Sequence, residues 1–201
     1  MLTIINYGLG NINSFANIFK SLGAKFNIAT NSDDLKNTSS IILPGVGSFD
    51  WAITRLNDSG MRSTLDDKVM VDKCNVLGVC VGMQIMADES EEGSEEGLGW
   101  IEGTVRKLPT KNKKIKLPHM GWNNISLVQE NKLIRNISDK NFYFLHSYFF
   151  DPVNPKYIGC STDYNFLFPS VISKKNIYGV QFHPEKSHLQ GINLLKNFIT
   201  L

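Results

Sequence analysis

The run Gly78-Val79-Cys80-Val81-Gly82-Met83-Gln84 places a thiol between two glycines where an apolar stretch, NVLGV, gives way to a helical pattern, VGMQIMA. A nucleophile on a strand-to-helix elbow occupies a strained backbone position, and glycines two residues to either side relieve contacts that a Cβ would make. Such an elbow leaves the sulfur at the exposed end of the sheet. There the helix start favours thiolate over thiol and offers free N–H groups to an oxyanion. A nucleophile needs a base, and the base needs a partner to orient it. IYGVQFHPEKS, residues 177–187, is an apolar strand pattern running into His183-Pro184-Glu185. Pro184 stops the strand ladder, and residues two apart in an extended segment share a face. Glu185 can therefore hold the His183 ring while His183 takes the thiol proton. In SIILPGVGSFD, residues 40–50, Gly45 and Gly47 let the backbone N–H groups of Val46 and Gly47 approach a developing oxyanion, with the N–H of Val81 as a second donor. The competing reading is a structural cysteine packed between glycines, with 45–47 an ordinary loop.

These three motifs must be brought to one edge, and the rest of the chain predicts how. LTIIN (2–6), NINSFANIFKSLG (11–23), KFNIAT (25–30), SDDLKN (32–37) and SIILPG (40–45) read as βαβαβ. Phe15, Ile18, Phe19 and Leu22 fall on one stripe of a helix that ends at Gly23. Uncharged runs such as IIL and NVLGV suit strands buried on both faces, hence a parallel sheet with helices on each side. After Gly99, WIEGTVRKL, GWNNISLV, NFYFLHSYFF, YIGCST, PSVISK and IYGVQF predict strands without long helices between them. An antiparallel or mixed section follows the parallel one, and Ile192, Leu195 and Ile199 mark a closing helix over 189–201. The expected class is α/β, and ligands of open α/β sheets bind at the C-terminal edges of the strands.

Composition bounds the partners. At 201 residues, with 42% apolar and 20% charged residues, the chain is expected to form one domain over 1–201. Twenty-one Lys and Arg against 19 Asp and Glu give a net charge of +2, too little for nucleic-acid binding by bulk charge. No apolar stretch of membrane-spanning length and no leader pattern occurs, which places the protein in the cytoplasm with no membrane partner. Cys74, Cys80 and Cys160 are an odd count with no CxxC pair, which fits neither a disulfide framework nor a zinc site. His119, His146 and His188 read as structural or surface residues, and RKLPTKNKKIK (106–116) as a solvated loop.

The sequence resembles the class I, triad-type glutamine amidotransferases, which share G-x-C-x-G-x-Q and a later H-P-E. Further stretches are similar to the HisH family, the glutaminase subunits of imidazole glycerol phosphate synthase. They are NYGLGN (6–11), LPGVGSFD (43–50), GMQIMADESEEG (82–93), GLGWIEG (97–103), LPHMGWN (117–123), LHSYFF (145–150) and FHPEKS (182–187). The resemblance implies a flavodoxin-like amidotransferase fold and hydrolysis of L-glutamine to glutamate and ammonia by Cys80, His183 and Glu185. Val46, Gly47 and Val81 would bind the oxyanion, and Gly45, Gln84, Glu92, Ser147 and Tyr148 the substrate. It also implies a HisF-like (β/α)₈-barrel synthase as partner, met near Asn11, Met120, Trp122, Asn123 and Lys186, with ammonia feeding histidine biosynthesis. No metal or organic cofactor is implied. Asn6 replaces the usual acidic residue before Tyr-Gly, and Val81 stands where leucine is commoner. These departures leave open a paralogue that feeds ammonia to surface-sugar amidination, and a non-catalytic regulatory subunit is the reading from another class.

Overall fold

The computed structural model describes residues 1–111 and 115–201; the centre of the 106–116 basic run lies outside the described residues. The first half runs β1 (Leu2–Ile5), α1 (Ile12–Ser21), β2 (Phe26–Ala29), β3 (Ser40–Gly45), α2 (Phe49–Asp58), α3 (Arg62–Asp66), β4 (Asn75–Cys80) and α4 (Val81–Gln84). The second half follows as β5 (Glu89–Ser90), β6 (Gly103–Lys107), β7 (His119–Asn124), β8 (Ser126–Leu127), β9 (Asn141–His146), β10 (Tyr148–Pro152), β11 (Ile158–Asp163), β12 (Leu167–Lys174), β13 (Ile177–Val180) and α5 (His188–Ile199).

The central sheet has the order β2-β1-β3-β4-β13-β12-β11-β8. From β2 to β13 neighbouring strands are parallel, and from β13 to β8 they are antiparallel. The inner parallel strands are predominantly apolar because both faces are covered: β1, Ile41–Gly45 of β3, Val76–Cys80 of β4 and β13 are all buried, whereas edge strand β2 is half-buried except at Ala29. Two smaller sheets, β10-β6-β5 and β7-β9, stand beside it.

Local chemistry explains the element ends. Asn11 caps α1 by accepting the Ser14 N–H, Phe15 and Phe19 form its buried stripe, and Gly23 at φ +67° turns the chain out. SDDLKN forms only a short 3₁₀ turn, Ser32–Leu35, because Asp34 turns back onto the Asn31 N–H and the capping box closes the segment on itself. VGMQIMA is helical for only one turn, Val81–Gln84, before the chain bends at Ile85–Ala87. NFYFLHSYFF, which alternation predicts as one strand, breaks at Ser147 into β9 and β10, and these join different sheets. GWNNISLV divides likewise, into β7 and β8. The closing helix buries Gly191, Leu194, Leu195 and Phe198, a face rotated from the expected one; Ile192 and Ile199 are half-buried.

The tightest packing lies where β3 meets the elbow. A Cβ on Gly82 would stand 1.9 Å from the Leu43 carbonyl oxygen, and one on Gly45 would stand 2.3 Å from the Gly82 nitrogen. On the other side, a Cβ on Gly78 would stand 2.5 Å from the Gly82 carbonyl oxygen. The three glycines let main chain touch main chain. Gly82→Ala should therefore destabilise the fold by about 3 kcal/mol, the upper range for overpacking, since the obstructing atoms are backbone. Urea unfolding of that variant against wild type measures the loss, and an unchanged midpoint would contradict it.

Candidate active site

Cys80 closes β4 with φ +56° and ψ −113°, a left-handed backbone conformation in a residue that is not glycine. Such a conformation costs on the order of 1–3 kcal/mol and persists only where packing dictates it. The register sets the neighbours: Gly45 lies beside Cys80 on one side, and β13 pairs with β4 on the other through Val180 and Val79. Three residues beyond Val180, the chain reaches His183.

Cys80, Val81, Gln84, Val46, Gly47, Glu92, Ser147, Tyr148, His183 and Lys186 line one cleft of about 270 Å³. Cys80 lies on its floor, with only 3% of its surface exposed, so the thiol faces a cavity rather than an open sheet end. Leu145 contributes cover, its carbonyl lying 3.8 Å from the sulfur. Gly45 is behind the cleft wall, packed on Gly82. With α4 a single turn, local N–H groups rather than an extended helix dipole are the electrostatic resource at the elbow.

His183 Nδ1 is 2.9 Å from Glu185 Oε1, and both side chains are almost wholly buried. Burial alone pushes the imidazole down, but hydrogen bonding and charge interactions with Cys80 and Glu185 outweigh it and raise His183 to about 10. The His183 backbone is fixed from both sides. Its N–H donates to the Tyr143 carbonyl at 2.8 Å, while Ser187 Oγ donates to the His183 carbonyl at 2.6 Å and accepts the Tyr143 N–H at 3.0 Å. The arrangement can hold an ion pair of sulfur and imidazolium, with a carboxylate behind it.

Gln84 is held as firmly. Its Nε2 donates to the Tyr148 carbonyl at 2.8 Å and to Gln181 Oε1 at 3.1 Å, which leaves its Oε1 for a ligand donor. The Tyr148 carbonyl is shared with His146 Nδ1 at 2.8 Å, and that contact fixes the tautomers. A carbonyl can only accept, so His146 carries its proton on Nδ1 and accepts at Nε2 from His119 Nδ1–H at 2.9 Å. His119 Nε2 in turn accepts from Asn123 at 3.3 Å. Burial holds both rings neutral, with His119 down to about 4 and His146 to about 3.

Around the mouth, Met120, Trp122 and Leu145 are exposed, and β7 and β9 pair Met120 with Leu145 and Trp122 with Tyr143. Trp122 stacks on His188 at 5.0 Å, and Lys186 reaches over Tyr143. Asn123 instead turns inward, donating to the Asp163 carbonyl at 3.0 Å, and Asn11 serves as the α1 cap. Sequence reasoning passed over Gln181, Ser187 and the cleft-lining Pro118 and Leu145, and it read His146, which is buried in the cleft lining, as structural or surface. A glutamine inside the apolar run IYGVQF was the available signal for Gln181. Among the described residues no group of three or more His, Cys, Asp or Glu side chains could hold a metal ion, and no helix is long and apolar enough to cross a membrane.

The model of the family described as "Glutamine amidotransferase class-I" matches residues 3–201. The chain belongs to the class I glutamine amidotransferases, enzymes of α/β fold with a mostly parallel central sheet flanked by helices. Within that family it is HisH-like. It is 49% identical to the imidazole glycerol phosphate synthase subunit HisH of Bdellovibrio bacteriovorus over 98% of each chain. It is 45% identical to the subunit of that name from Leptospira interrogans over the full length of both. A crystal structure of a glutamine amidotransferase, 15% identical, aligns over 99% of this chain and 97% of its own with a TM-score of 0.77, a likeness of fold.

The histidines make stability depend on pH in two directions. Below about 6.5 the unfolded chain protonates imidazoles that the fold keeps neutral, so His119 and His146 contribute stability that falls as pH drops from 6.5 towards 4 and 3. His183 works oppositely: its contribution is full below 6.5 and is lost as pH rises through about 10. Denaturation curves from pH 4 to 10 should show His119→Gln flattening the acid limb and His183→Gln the alkaline limb; identical slopes in wild type and variants would contradict the assignment.

Proposed function

We propose that the protein is the glutaminase subunit of a two-component synthase, with Cys80 as nucleophile, His183 as acid and base, and Glu185 holding the His183 ring. The observation that carries this reading is the strained elbow itself: Cys80 at positive φ shares one cleft with a His183 that is bonded to a buried carboxylate. In the reaction, the Cys80 thiolate attacks the side-chain amide carbon of glutamine. N–H groups of the Val46-Gly47 turn and of Val81 receive the charge that develops on the oxygen. The C–N bond breaks as His183 passes its proton to the departing nitrogen, which releases ammonia and leaves a thioester. Neutral His183 then takes a proton from water attacking that thioester, the C–S bond breaks, and glutamate, thiolate and imidazolium are restored. Gln84 Oε1 and the Ser147-Tyr148 segment hold the substrate amide and carboxylate ends, and Glu92 pairs with its α-ammonium.

The partner is a HisF-like (β/α)₈ barrel that docks on the face of Met120, Trp122, Leu145 and Lys186. Leu145 and Lys186 also line the cleft, so a partner seated there covers its mouth and receives the ammonia for imidazole glycerol phosphate formation. The names of the relatives support that acceptor, and the cytoplasm, which keeps thiols reduced, is the expected compartment. Activity should be weak in the isolated subunit, because the oxyanion turn has Val46 exposed and Gly47 at φ +93°, a segment that a partner and its acceptor can set. Glutamate release measured with and without the barrel, and with Cys80→Ser, tests this. Full turnover by the lone subunit contradicts partner control, and turnover by Cys80→Ser contradicts the nucleophile. A complex active only with amino-sugar acceptors would assign the ammonia to a different pathway.

A further inference from the structure

The first turn of α2 and the segment that carries Glu92 are joined by hydrogen bonds that the reaction above does not use. Asp50 lies two residues beyond Ser48, and its carboxylate accepts the Ser94 N–H through Oδ2 at 2.9 Å and the Glu95 N–H through Oδ1 at 3.1 Å. In the other direction, Glu92 Oε2 accepts the Phe49 N–H at 2.8 Å. Ser48, the N-cap of α2, makes no side-chain capping bond, so a residue 43 positions away caps the helix instead. Gly93 lies under this junction. A Cβ there would stand 2.0 Å from Asp50 Oδ1 and 2.1 Å from its Cγ, so any side chain at 93 would expel the carboxylate.

The 91–96 segment needs such a tie. Glu91 is anchored to β6, by Arg106 at 3.3 Å and the Lys107 N–H at 2.9 Å, but beyond it the chain carries Glu92, Glu95 and Glu96, has no regular secondary structure and is largely exposed, so repulsion and solvation draw it away from the cleft. Glu92 nevertheless lines the cleft. With Oε2 committed to Phe49, its other oxygen is free to face a cation. We propose that Asp50 is a positioning residue of the glutamine site, pinning the 93–95 backbone to α2 so that Glu92 is aimed at the substrate α-ammonium. Through Phe49, the same contact ties the ammonium-binding carboxylate to the oxyanion turn that precedes α2. This inference rests on the glutaminase reading.

The test uses the complex with its barrel partner and the variants Asp50→Asn, Gly93→Ala, Glu92→Gln and Asp50→Asn/Glu92→Gln. Asp50→Asn and Gly93→Ala should each raise KM for glutamine about tenfold, the size of one charge-assisted contact, with a smaller change in kcat. On glutaramate, the same amide without an α-ammonium, both variants should match wild type. In the Glu92→Gln background, Asp50→Asn should add nothing further. An unchanged KM, an equal penalty on both substrates, or additive effects would overturn the proposal. Amide hydrogen exchange gives a second readout that needs no turnover: Asp50→Asn should speed exchange at Ser94 and Glu95 and also at Phe49. Unaltered protection of Phe49 overturns the clamp, whereas wild type without glutaminase activity overturns the reading of function and leaves the clamp to be judged by exchange.

Discussion

Backbone contact between the end of β3 and the one-turn helix α4 is the constraint on which the remainder of the site depends. Leu43, Pro44 and Gly45 meet Val81 and Gly82 with no side chain between them, and this closeness keeps Cys80 in a conformation it would not adopt alone. The parallel register then places the 45–48 turn on one flank of the sulfur and the exit of β13 on the other. Tyr7, whose hydroxyl donates to the Pro44 carbonyl at 2.6 Å, secures the same corner from the β1 side. Cys80, the 45–48 turn and His183 converge because adjacent strands end together.

A second layer consists of polar groups that never touch the sulfur. Asn123, His119, His146, Tyr148 and Gln84 form a chain of hydrogen bonds in which every donor and acceptor is determined once the Tyr148 carbonyl is taken as its end. Because buried polar groups are costly when unmatched, a change at any member is felt at Gln84. Ser187 does the corresponding service for His183, linking it to β9. Strand β9 and the histidine loop are thereby one mechanical unit.

Much of this was legible in the sequence, and the reason differs by element. The parallel half could be read because strands covered on both faces must be apolar and α1 carries its stripe and its glycine exit in the right order. The elbow, the H-P-E run and the Gly-rich turn could be read because their chemistry is local, within a few residues. The break at Ser147 could not, since alternation continues through it and only tertiary pairing decides which sheet each half joins. Nor could the bonds of Asp50 to Ser94 and Glu95, of Gln181 to Gln84 and of Ser187 to Tyr143 be assigned: they span 44 and 45, 97 and 44 positions, and nothing in a single sequence announces such pairings.

The positive φ at Cys80 also restricts what evolution can try there. A branched β-carbon is strongly disfavoured in that backbone region, so threonine is excluded on steric grounds before its reactivity matters. Serine fits the conformation but brings a hydroxyl, far less ionised than a thiol at neutral pH. Glycine fits best and has no nucleophile at all. On the role proposed for Cys80, the backbone at this elbow therefore admits only small unbranched side chains, and among those cysteine brings the readily ionised nucleophile while glycine would leave an inert scaffold.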